Sequence, residues 1–207
     1  METIPIFSIA LHKFFEPELA VLGKKIVMEN RDIFRKIEKH NSYTNIIFQN
    51  IMKNHIDENY KNLNDILKFK EKILSNATKV LELYNYTYDM VDYEVTNLWF
   101  NIMENMSFQN AHNHYGFVLT GTFYIDMPEE VSPIIFYSPL ENMQPYNSTG
   151  NIKDEEKKHN QFNSKAWTVY PKNGEMYFWL ASLSHGVPQI QFSGSRISCS
   201  YDISTKI

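Results

Sequence analysis

The sequence predicts an α+β domain in which helices come first and a sandwich or barrel of short strands follows. Three observations predict it. Up to about residue 91, apolar residues recur at helical spacing. From residue 92 they lie in short runs rich in β-branched and aromatic residues. No internal repeat or Gly/Pro/Ser-rich linker divides the 207 residues. A chain of this length buries one substantial core. The expectation is one domain over 1–207, with 1–91 as mainly helical support and 92–207 as the β core.

In chain order, Ile4–Ala10 reads as a first strand that joins the same sheet. "EPELAVLGKKIVMENRDIFRKIEK" then places Leu19, Leu22, Ile26, Ile33 and Ile37 at spacings that fit one helical face, and Pro17 suits its first turn. "NDILKFKEKILSNATKVLELYN" repeats the pattern with Ile66, Ile73, Ala77, Val80, Leu81 and Tyr84. Both helices read as a layer packed on a sheet. Strands are expected at Tyr93–Met103, Phe117–Asp126, Pro133–Tyr137, Ala166–Tyr170, Glu175–Ala181, Gly186–Gln191 and Arg196–Ile203, with Pro, Gly, Asn and Ser between them. Glu141–Ser164 is long, polar and without period, as expected of a lid over a site.

Composition narrows the function classes. Charged residues at 21% and hydrophobic ones at 43% describe a globular chain, not a disordered one. A net charge of −4 and a pI near 6.0 leave no overall electrostatic footprint for nucleic acid or an anionic membrane. No stretch approaches the ~18 apolar residues that span a bilayer. "METIPIFSIALHKFF" lacks the basic start and small-residue cleavage site of a signal peptide. One cysteine, Cys199, excludes an intramolecular disulfide and fits a reducing compartment, and its strand-like setting reads as a buried, inert thiol. The expected location is cytoplasmic.

Seven histidines are available for chemistry. His12, His40, His55 and His159 lie in polar or helical surroundings and read as surface residues. His112, His114 and His185 sit at the edges of β runs. On extended backbone, residues i and i+2 face one side, so His112 and His114 can aim at one point. That pair alone is either two metal ligands or two stray side chains. His185 ends the turn after Glu175–Ala181, about 70 residues later in the chain, on a strand that a sandwich can place beside the first. Read alone it is a turn histidine bonded to backbone. Three histidines together suit a divalent transition metal with open positions.

"SGSRISCSYDI" adds a cation. Arg196 and Ser198 share one face of an alternating strand. A buried guanidinium is costly unless an anion meets it, and its planar fork suits a carboxylate. The other reading is a surface arginine at a strand start.

The order of these features resembles the 2-oxoglutarate/Fe(II)-dependent dioxygenases, and more narrowly the small 2-oxoglutarate–Fe(II) oxygenase family of bacteria and their phages. Its pattern is a tryptophan strand, H-x-H, a strand ending near a tyrosine, a P-x-x-G turn, an aromatic strand, a distal His and an Arg. Here these are Trp99 in "VTNLWFNI", His112-Asn113-His114, "LTGTFYID", "YPKNGEMYFWLASLSHGVPQ" and "SRISCSYDI". The likeness covers roughly 92–203. It implies a double-stranded β-helix (jelly roll) with the N-terminal helices packed on one face.

The resemblance also implies roles. His112 and His185 would bind iron, with His114 where most of the superfamily has Asp or Glu. Arg196 would hold the distal carboxylate of 2-oxoglutarate, helped by Ser198 and Tyr124. The cofactors would be Fe(II), 2-oxoglutarate and O2, and the reaction hydroxylation of a small-molecule or peptide substrate, with release of succinate and CO2. Two positions depart from the pattern. Tyr115 replaces a proline, and His114 replaces the carboxylate. His114-x-Gly116 imitates a halogenase pattern, but that would leave His112 without a role. Two other readings compete. A cupin-type three-histidine protein that does not use 2-oxoglutarate needs a Glu three or four residues after its H-x-H, where Val118 and Leu119 stand. A non-catalytic jelly-roll binding or structural module would carry its histidines incidentally.

Overall fold

The computed structural model describes residues 8–37, 42–48, 60–86, 92–128, 133–140, 164–189 and 193–206. The first strand is β1 (His12–Phe15), and it leads into α1 (Pro17–Glu29). Ser8–Ala10, the described part of the predicted Ile4–Ala10 strand, are not strand; the rest of it lies outside the described residues. Leu19, Ala20, Gly23, Ile26 and Val27 form the buried stripe of α1.

The predicted continuation of α1 to residue 39 does not occur. Asn30 is buried, donates from Nδ2 to the Ile26 carbonyl at 2.8 Å, and accepts the Lys61 amide on Oδ1 at 2.7 Å. An Asn side chain that takes a last-turn carbonyl competes with the next helical amide and ends the helix there. A 3-10 turn (Arg31–Ile33), β2 (Arg35–Ile37) and β3 (Ser42–Phe48) follow, so Ile33 and Ile37 leave the helical face. The stretch before residue 92 therefore supplies three strands as well as helices.

The helix α2 (Leu63–Leu83) matches its periodicity. It buries Ile66, Phe69, Ile73, Asn76, Ala77, Val80 and Leu81. The remaining strands are β4 (Tyr93–Met103), β5 (Gln109–His112), β6 (Leu119–Asp126), β7 (Ile134–Tyr137), β8 (Ala166–Val169), β9 (Glu175–Leu180), β10 (His185–Val187) and β11 (Arg196–Thr205). All expected strands after residue 92 are present, Tyr93–Met103 with the expected ends and the others with one or both ends shifted, and β5 is an addition. The expected Gly186–Gln191 strand is the shorter β10, which already begins at His185. Apart from Ser164, the expected lid lies outside the described residues, as do His40, His55 and His159.

The described strands form two antiparallel sheets, one ordered β1-β9-β6-β11-β4-β3-β2 and one ordered β5-β10-β7-β8. Alternation in the larger sheet assigns its two faces. Leu98, Phe100, Ile102, Leu119, Phe123, Ile125, Met176, Phe178, Ile197, Cys199, Tyr201 and Ile203 meet α1 and α2 in the main core. Phe69 of α2 packs on Phe100 and Phe123 at ring distances of 5.5 and 5.6 Å. Fully burying each such side chain is worth roughly 1.5–3 kcal/mol. Gly121 is required on this face. A Cβ there would lie 2.2 Å from the Tyr177 carbonyl oxygen and 2.4 Å from the Tyr201 ring, which crosses β6 to donate its hydroxyl to that carbonyl at 2.8 Å.

On the opposite face, Tyr124, Tyr177 and Trp179 of the larger sheet meet Ile134 and Phe136 of the smaller one. The two sheets thus face each other over a second, smaller apolar cluster with a polar cleft beside it. Outside the cleft, His12 departs from its expected surface role: it is half-buried, with Nε2 3.0 Å from the Tyr84 hydroxyl. Among the described residues no helix is long and apolar enough to cross a membrane.

Candidate metal and cosubstrate site

Strand pairing brings the histidines together. β10 pairs with β5 in a register that sets His185 opposite His112. His114 follows the end of β5, held by its amide donating to the Ala181 carbonyl at 2.8 Å. The ring centroids are 5.1 Å apart for His112–His114, 4.5 Å for His112–His185 and 5.3 Å for His114–His185. One nitrogen from each lies within 4.8 Å of the other two.

Two of the rings are oriented by local backbone. His112 Nδ1 lies 2.8 Å from the Asn110 carbonyl and His185 Nδ1 lies 3.0 Å from the Leu183 carbonyl. A carbonyl only accepts, so each Nδ1 carries the proton and each Nε2 presents a lone pair, the form a metal needs. Burial drives the His185 pKa down to about 3, with the neighbouring imidazoles adding to it, so this ring is neutral at ordinary pH.

The cation expected from the sequence is buried. Arg196 is 2% exposed and Ser198 3% exposed. A bulge between Ile197 and Ser198 in the β11–β6 pairing sets Ser198 opposite Tyr124. The Arg196 guanidinium lies over the Tyr124 ring, 5.1 Å from its centroid. One guanidinium nitrogen reaches Met103 Sδ at 3.4 Å, a weak acceptor. Arg196 Nε and the Tyr124 hydroxyl have no hydrogen-bond partner of regular geometry among the described residues. Burial pushes the Tyr124 phenol up and the adjacent guanidinium partly offsets it, so it remains a donor.

His112, His185, Arg196 and Ser198 line one cavity of about 220 Å³ between the sheets, with Trp99 and Thr122 also in its walls. Two of the three histidines and the arginine therefore share a space of small-molecule size, and His114 adjoins it through its ring contacts with the other two. Buried donors beside a cluster of imidazoles fit a metal chelated by a small carboxylate ligand.

Two residues that carry no role in the sequence reading complete the site. Asp202 is 2% exposed, with Oδ1 2.8 Å from His114 Nδ1. Asn97 Nδ2 donates to Asp202 Oδ2 at 2.8 Å. Trp99, from the tryptophan strand of the motif, stacks on His114 at 5.8 Å and 16°. A signal for Asp202 was available: Arg196, Ser198, Ser200 and Asp202 alternate with apolar residues, which places Asp202 on the cleft side of β11.

Residues 97–202 match the family described as "Putative 2OG-Fe(II) oxygenase". The chain belongs to this 2OG-Fe(II) oxygenase family. No curated protein sequence matches it. Solved structures share the fold at low identity. A 2OG-Fe(II) oxygenase family oxidoreductase from Burkholderia pseudomallei is 12% identical, with a TM-score of 0.59 over 94% of this chain and 84% of that one. A Pseudomonas putida prolyl-4-hydroxylase is 8% identical, with a TM-score of 0.59 over 95% and 94%. HygX from Streptomyces hygroscopicus, with nickel and 2-oxoglutarate bound, is 8% identical, with a TM-score of 0.56 over 95% and 83%.

Proposed function

We propose that this chain hydroxylates a small-molecule or peptide substrate, with His112, His114 and His185 holding Fe(II) and Arg196, Tyr124 and Ser198 receiving the far carboxylate of 2-oxoglutarate. The two facing sheets are read as the halves of a double-stranded β-helix, and 1–207 as one catalytic unit. A cytoplasmic setting belongs to the proposal and rests on the lone buried thiol of Cys199. The observation that carries the reading is a cluster of three converging imidazoles, two of which share a cavity with a buried arginine.

Bound Fe(II), with 2-oxoglutarate and O2, supplies the oxidising power, converting the cosubstrate to succinate and CO2 as oxygen is delivered to a C–H bond. The protein's part is geometry. Neutral imidazoles present their lone pairs, and the i−2 carbonyls keep two of the rings from swinging away. The Arg196 fork and the Tyr124 hydroxyl donate to a carboxylate in a dry pocket, where such bonds are strong. Phe136 and Trp179 shield the buried side of His185 from water, with ring centroids 6.1 and 4.8 Å away.

The test is anaerobic calorimetry with Mn(II) and 2-oxoglutarate, followed by aerobic turnover with Fe(II). Metal-dependent cosubstrate binding and succinate release support the reading. A metal-loaded protein that does not bind 2-oxoglutarate would overturn it.

A further inference from the structure

The three imidazoles are not held alike. His112 and His185 rest on backbone carbonyls two residues earlier, so the chain's own turn fixes them. Among the described residues, the polar group facing His114 Nδ1 is the side chain of Asp202, on a strand distant in sequence. Asp202 Oδ1 is buried and has no hydrogen bond of regular geometry, yet it lies 2.8 Å from that nitrogen. A buried carboxylate oxygen left bare is costly, and the imidazole nitrogen 2.8 Å away is the group placed to satisfy it. Its second oxygen is already held by Asn97 at 2.8 Å, which stops the carboxylate from rotating away. Trp99 lies parallel to the His114 ring and limits how far it can tilt.

We propose that Asp202 is a positioning residue of the metal centre, holding His114 with its proton on Nδ1 and its Nε2 turned toward His112 and His185, while placing a negative charge one residue removed from the metal. The inference rests on the three-histidine reading above. A carboxylate behind a ligating imidazole fixes its tautomer and strengthens it as a donor, and losing such a partner typically weakens metal binding by about 10–100-fold.

The experiment is anaerobic Co(II) titration of the full chain, followed by visible absorption, for the wild type, D202A, D202N, H112A and H185A. Thermal unfolding of each metal-free protein checks that it folds. We expect D202A to weaken Co(II) by about 10–100-fold and to alter the ligand-field bands. D202N keeps an acceptor for His114 and loses the charge, so its affinity falls between those of D202A and the wild type. It decides the matter should D202A not fold. Histidine 15N NMR of the metal-free protein is expected to show His114 as the Nδ1–H tautomer in the wild type and as a mixture in D202A. Wild-type affinity and bands in both Asp202 variants would overturn the proposal while leaving the three-histidine reading intact. Unchanged Co(II) binding in H112A and H185A would instead overturn the metal site itself, and this proposal with it.

Discussion

The Arg196 guanidinium stands 5.1 Å from the centre of the Tyr124 ring, and both side chains are sealed from solvent. The contact leaves Arg196 Nε and the Tyr124 hydroxyl without regular hydrogen bonds. An unsatisfied buried polar group costs about 1–3 kcal/mol, a cost that a bound carboxylate removes. Tyr124→Phe removes one of these donors and is expected to weaken 2-oxoglutarate about tenfold. Arg196→Lys keeps a charge but loses the fork, and is expected to weaken it about 100-fold or more. Calorimetry checks both losses. A Phe variant that binds 2-oxoglutarate as the wild type does would contradict the assignment.

Acid should destabilise the metal-free protein through His185. In the unfolded chain its pKa is near 6.5, while burial holds the folded value at about 3. Between these values the unfolded state binds a proton that the folded state refuses, so stability falls as pH drops through this window. The slope from this one group is up to ~1.4 kcal/mol per pH unit. Urea unfolding at pH 7, 6 and 5 is expected to show a shallower decline in His185→Gln than in the wild type. Parallel declines would remove His185 as the cause.

The helix layer predicts a separate loss. Phe69 is fully buried between Phe100 and Phe123, away from the cleft. Phe69→Ala is expected to cost about 3–5 kcal/mol of folding free energy, read from denaturant midpoints. Metal affinity of the fraction that remains folded should not change.

Cys199 offers a probe of the same core. The thiol is fully buried on the helix side of β11, and burial raises its pKa well above the ordinary value. Native protein should show no fast reaction with a thiol reagent such as Ellman's, and one equivalent should appear along the unfolding transition. Rapid labelling of native protein would show that this face opens.

Much of this architecture was legible from local pattern. The period of α2 is uninterrupted, and the strands after residue 92 are bounded by turn residues, so both were visible. The end of α1 was not, because the Asn30 side chain that turns back on Ile26 is itself held by the Lys61 amide, a partner outside any local window. β1 and β2 are too short to show alternation, and β3 is "SYTNIIF", a β-rich run overlooked between two helices. In the site, the histidines and Arg196 were visible because few residue types do such chemistry. Asn97 was not, since its role depends on which strand β11 pairs with. The bulge that sets Ser198 opposite Tyr124 leaves no mark in composition.

β11 also acts as a gauge. Positions on its cleft face recur about every 6.6–6.8 Å, so Arg196 and Asp202 are three steps, roughly 20 Å, apart along the strand. On the proposed assignment, one end of this scale fixes the anchor for a diacid and the other fixes the metal side. A slip of one residue would turn Ile197 and Cys199 into the cleft and drive Arg196 toward the helices. Reach toward the diacid can therefore be retuned through the side chain at 196 without disturbing the register that keeps Asp202 behind His114.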